Sequence, residues 1–120
     1  MRALAQTSFG RVASGFLLYA HPERQSAEAA FGDALGLKYA TAFERTAKQG
    51  VTYKFDSQVP VPATIAWATK DRILPYSQSQ VAKDRLPAVH HVPLPGCGHV
   101  PIIDDPVLVT RVIEETIARA

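Results

Sequence analysis

Two residues of the 120-residue chain have the chemistry of an acid–base pair, Asp71 and His99. Asp71 stands in the turn Thr69-Lys70-Asp71-Arg72-Ile73-Leu74-Pro75, directly after the apolar run Ala63–Thr69. His99 stands in Pro95-Gly96-Cys97-Gly98-His99-Val100-Pro101, after a second apolar run, Ala88–Leu94. A carboxylate that accepts the Nδ1–H of an imidazole fixes the ring's tautomer and stabilises its cation. The free Nε2 can then take a proton from a nucleophile and return it to a leaving group. Gly96 and Gly98 let the loop bring its backbone close and adopt unusual dihedrals. Taken singly, each residue has a plainer reading. Asp is common in turns, and a loop histidine can bond a backbone carbonyl. Their shared position after two strands is what argues for chemistry.

The elements that must position them lie after Val59-Pro60-Val61-Pro62, where the pattern becomes strand, helix, strand, helix. Ala63–Thr69 is almost continuously apolar, as in a parallel strand covered on both faces. A helix follows Pro75, near Tyr76 to Arg85, and Ala88–Leu94 is the second strand. Strands joined by a helical crossover run parallel, so both loops leave the same carboxyl edge of the sheet. Neighbouring strands lie about 5 Å apart, so residues just past their ends can meet. That edge is where open α/β sheets place their sites. Val109, Val112, Ile113, Thr116 and Ile117 form the stripe of a final helix, with Asp104 and Asp105 as capping residues and Pro106 at its first position.

Before the proline pair the rhythm is helical. Phe9, Val12, Ala13, Phe16, Leu17 and Ala20 share one face. Ala27, Ala30, Phe31, Ala34 and Leu35 share another after the break at His21-Pro22. Leu37, Ala40, Phe43 and Ala47 make a weaker third stripe, closed by Gly50. Val51, Tyr53 and Phe55 alternate as in a short strand. This half carries no evident chemistry. The division is therefore a helical segment, 1–58, and a strand–helix–strand–helix unit, 59–120. Two parallel strands alone leave unpaired edges and little buried surface, so further sheet is expected elsewhere.

Other reactive side chains carry weaker signals. Asp84 is a rival acid, but it falls inside a helix rather than at a strand end. His90 and His91 are adjacent in a strand and point to opposite faces, so they cannot share one metal ion. Cys97-x-His99 lacks further ligands, and no metal is expected. His21 precedes a helix start, Trp67 reads as core, and Ser77 and Ser79 as helix starters. Thirteen basic against eleven acidic residues give a formal charge of +2 without a basic cluster. Nucleic acid and anionic membrane are therefore not the expected partners. One cysteine excludes an internal disulfide. No apolar run approaches the ~20 residues of a span, and Arg11 interrupts any leader-like core. A cytoplasmic location is the resulting expectation.

At Asp71–Pro75 and Pro95–Pro101 the sequence resembles the carboxyl-terminal part of the α/β-hydrolase family. An apolar strand followed by Asp and a downstream Pro is similar to that family's acid loop. A strand, then Pro-Gly-Cys-Gly-His-Val-Pro, then an Asp-Asp-Pro helix start is similar to its histidine loop. The resemblance implies that Asp71 is the triad acid and His99 the triad base, in the order nucleophile, acid, histidine. It covers roughly Val59 to Ala120, and the helical half corresponds more loosely to a lid. It implies a small ester-like substrate and no metal or organic cofactor.

The family's nucleophile sits in a G-x-S-x-G elbow, and none of the six serines, Ser8, Ser14, Ser26, Ser57, Ser77 and Ser79, has that context. The expectation is a truncated hydrolase, inactive alone, whose serine lies outside the chain. The competing class is a non-catalytic α/β interaction module that completes a partner's sheet or forms a homo-oligomer through an open sheet edge.

Overall fold

A computed structural model describes residues 6–52 and 58–119. The elements run α1 (Ser8–Gly15), a 3₁₀ turn (Pro22–Arg24), α2 (Ala27–Tyr39), α3 (Phe43–Thr52), β1 (Thr64–Ala68), α4 (Gln78–Arg85), β2 (His90–Leu94), α5 (Pro101–Asp104) and α6 (Pro106–Ile117). Local chemistry accounts for three of the helix beginnings. The Thr7 hydroxyl accepts from Gly10 N at 3.0 Å and Ser26 Oγ from Ala29 N at 3.1 Å, opening α1 and α2. Asp105 caps α6 by accepting from Leu108 N at 2.9 Å, with Pro106 in the first turn. Ser77 holds the cap position of α4 without a side-chain capping bond, so the serine-start expectation fails there.

The helical half differs in three boundaries: α1 ends at Gly15, so Phe16, Leu17 and Ala20 of the first stripe lie beyond it. Leu37 belongs to α2, the break falls at Ala40–Ala42, and α3 continues past Gly50 to Thr52. Val51 lies in α3, whereas Tyr53 and Phe55 of the expected strand lie outside the described residues.

β1 and β2 pair in parallel, with Thr64 opposite His90 and Ala68 opposite Leu94, so both strands end at one level. Ladder-like bonds continue past those ends: Thr69 N donates to Leu94 O at 3.1 Å and Lys70 N to Cys97 O at 2.8 Å. Two strands are all the sheet among the described residues. Ala68, Leu94 and Cys97 form its buried centre, packed under Leu108, Val109 and Val112 of α6. The expected cover on both faces is not found, since Ala66 in mid-strand is exposed and α4 buries no residue. Among the described residues α6 alone packs an apolar face on that buried centre, so the strand's hydrophobicity exceeds what these neighbours use.

Candidate active site

Asp71 reaches its position through a turn that it closes itself. Its Oδ1 accepts the amides of Ile73 and Leu74, both at 2.8 Å, a local arrangement at which Asp excels. Trp67 Nε1 donates to Leu74 O at 3.3 Å, fixing the far side of the turn, and the indole is half-buried rather than core. The other oxygen, Oδ2, is left to face the histidine loop.

That loop turns at Pro95-Gly96. Gly96 has φ +78°, a conformation costly for a residue with a Cβ. Its amide donates to Thr69 Oγ1 at 2.9 Å, tying the histidine loop to the acid loop. Cys97 follows with 1% exposure and acts as core. Burial, then the nearby Asp104 and Asp105, push its thiol above the usual range, which suits packing rather than reactivity.

His99 Nδ1 and Asp71 Oδ2 are 3.0 Å apart. Carboxylates only accept, so Nδ1 carries the proton and donates it, leaving Nε2 with its lone pair in the neutral ring. The Asp71 side chain is 8% exposed and that of His99 32%. Burial is the largest influence on the Asp71 carboxyl and pushes it up. The Leu74 amide, the His99 ring and the Ile73 amide together outweigh it, and the group lies below its ordinary value. Asp71 is thus held as the anion the pairing needs. Among the described residues no hydroxyl or thiol hydrogen-bonds Nε2.

The remaining candidates are placed elsewhere. Asp84 is bonded by Gln80 Nε2 at 2.9 Å on the exposed side of α4. His91 Nε2 donates to Leu86 O at 2.9 Å, and His21 lies 3.3 Å from Glu23. No group of three or more His, Cys, Asp or Glu among the described residues could hold a metal ion. No helix among them is long and apolar enough to cross a membrane.

Asp104 was expected to cap α6 and does something else. Only 5% exposed, its carboxylate accepts from Gly98 N at 2.7 Å, Ala20 N at 2.9 Å and His21 N at 2.8 Å. Arg72, next to the acid, was also missed. Its guanidinium donates to the carbonyls of Phe16 at 2.7 Å and Tyr19 at 2.9 Å and stacks 4.2 Å from the Phe16 ring. Apart from Gly98 N, six residues from Asp104, and the Phe16 ring, both partner sets consist of backbone groups more than 50 residues away in sequence, which leave no side-chain signature.

No family model matches the chain, and none of the curated proteins matches it by sequence. Solved structures do. One is a His-tagged serine hydrolase involved in carbazole degradation, the CarC enzyme. The TM-score is 0.64 at 17% identity, over 95% of this chain and 48% of that one. The fold is a portion of an α/β-hydrolase fold. The likeness is one of fold, and the chain spans about half the length of that enzyme. Within this fold the parallel pair β1–β2 presents Asp71 and His99 beyond its carboxyl ends, hydrogen-bonded to each other.

Proposed function

We propose that the chain carries the acid and the base of a serine α/β-hydrolase acting on an ester-like carbonyl. The observation that supports it is the Asp71–His99 pair, with Nδ1 engaged and Nε2 uncommitted. The nucleophilic serine comes from a segment these 120 residues do not contain. His99 Nε2 removes its proton as the serine attacks, and the imidazolium returns that proton to the leaving alcohol. A water then attacks the acyl group, with His99 again accepting a proton and returning it to the serine. Asp71 holds the ring in the useful tautomer throughout and is not itself protonated. The helical segment 1–58 serves as lid-like cover, and a cytoplasmic setting fits this reading.

The test is 4-nitrophenyl ester hydrolysis by a form that includes a nucleophile elbow. His99→Ala is expected to lower kcat by about 10⁶-fold. Unchanged turnover with a folded variant contradicts the proposal.

A second reading, self-association without catalysis, has one observation in its favour. Val107, Ile113 and Ile117 of α6 are 68%, 52% and 68% exposed beside a two-stranded sheet. Sedimentation that returns a dimer, unaffected by His99→Ala, supports it. A monomer at all concentrations contradicts it.

A further inference from the structure

The two loops of the site do not merely approach each other; both grip one stretch of the helical half, Phe16–His21. From the acid side, Arg72 takes the carbonyls of Phe16 and Tyr19. From the histidine side, Val100 N donates to Leu18 O at 2.9 Å, and the Asp104 carboxylate joins Gly98 N to the amides of Ala20 and His21. Gly98 lies so close that a Cβ there would stand 2.6 Å from Ala20 N and 2.8 Å from the Tyr19 carbonyl carbon. The stretch is itself anchored. Tyr19 is 4% exposed, and its hydroxyl donates to Asp33, which also accepts from Gln25 Nε2. Burial first, then Asp33, pushes the phenol up to about 12, so it stays a donor at any ordinary pH.

We infer that Phe16–His21 is a strap that sets the distance between the acid and histidine loops, with Arg72 and Asp104 as positioning residues for the Asp71–His99 bond. The inference rests on the acid–base reading above and adds how the pair is held. Besides the pair itself, Gly96 N to Thr69 Oγ1 and the backbone bonds Thr69 N to Leu94 O and Lys70 N to Cys97 O join the loops at their base, and the strap adds the bonds of Arg72, Val100 and Asp104 beyond them. Asp104 is suited to this because each donor it accepts is a backbone N–H. Asn at 104 turns one acceptor into a donor that faces an N–H, and at least one amide loses its partner.

The experiment uses the 120-residue chain labelled with ¹⁵N-histidine, and reads the His99 ring tautomer and the Nδ1–H solvent-exchange rate. The strap requires that Asp104→Asn and Arg72→Gln speed Nδ1–H exchange by about tenfold or more and reduce the Nδ1–H tautomer. Leu108→Ala, which loosens α6 on the sheet away from the strap, should leave both unchanged. Circular dichroism checks folding, and if Asp104→Asn unfolds, the exposed Arg72→Gln decides. Wild-type values in both strap variants, or an equal change in Leu108→Ala, overturn the inference. A wild-type ring lacking the Nδ1–H tautomer overturns the acid–base reading instead, so the two failures are distinguishable.

Discussion

The carboxyl edge of the sheet and the helical half follow opposite physical rules. At the edge, polar groups are committed: Asp71 accepts three hydrogen bonds and Asp104 three amides within a few residues of His99. In the helical half, Tyr19 and Ala30 are buried, but many other apolar groups are left in solvent. Phe9 is 79% exposed, Leu17 57% and Phe43 69%, and every described residue from Lys38 to Gly50 is exposed. Isolated exposed apolar residues are ordinary, but a run of them on helices is surface without cover. The edge is organised for geometry by local bonds and the strap, whereas the helices and open sheet faces hold surface the chain does not bury. Positioned chemistry and an unfinished core thus coexist in one molecule.

The largest effect expected at the edge is on catalysis. In a form with a nucleophile elbow, Asp71→Asn should lower kcat by about 10⁴-fold with the fold retained, because Asn Nδ2 would donate where Oδ2 accepts and select the wrong tautomer. A loss below tenfold, read by ester turnover, would remove the edge's claim to chemistry.

Next in size, Asp104→Ala leaves the buried Gly98 amide and the part-buried Ala20 and His21 amides without their acceptor and should cost about 2–3 kcal/mol in urea unfolding. A cost under 1 kcal/mol would mean that water replaces the carboxylate and that the strap is loose. Gly96→Ala, by forcing a Cβ onto φ +78°, should cost about 1–2 kcal/mol.

How legible was this? β1, β2 and the Asp105–Pro106 start of α6 follow from patterns a few residues long, and so does the placing of Asp71 and His99 after two strands. Asp104 did not follow. Beside Asp105 and Pro106 it reads as a cap, and its true donors, Ala20 and His21, are 84 and 83 positions away. The pattern offers Gly96 and Gly98 alike for close approach and unusual dihedrals, and the structure divides the two roles: Gly96 has the unusual φ, and Gly98 answers to the close approach of the strap. The α2–α3 break was missed because Ala40-Thr41-Ala42 contains neither Gly nor Pro, and the stripe of Leu37, Ala40 and Phe43 runs through it. Backbone partners from distant segments leave no mark in a periodicity.

The pH response sharpens the contrast further. Asp71 lies below its ordinary carboxylate value when folded, so its stabilisation is fully present above the unfolded value and is lost as pH falls through the folded one. Wild type should therefore lose stability in that acid window more steeply than Asp71→Asn, by denaturant titration at each pH. Parallel profiles would contradict the pairing. Smallest of all, Phe9→Ser in the helical half should change stability by less than about 0.5 kcal/mol, because its side chain is already in water. A larger loss would show that the apolar stripe of α1 is covered in solution.

The most direct measurement is labelling of the purified, folded 120-residue chain with a fluorophosphonate, with mass mapping of every serine and His99→Ala as the control. A base held ready without its nucleophile gives no His99-dependent adduct. A single modified serine that disappears in His99→Ala would contradict this, because the chain would then hold its own nucleophile.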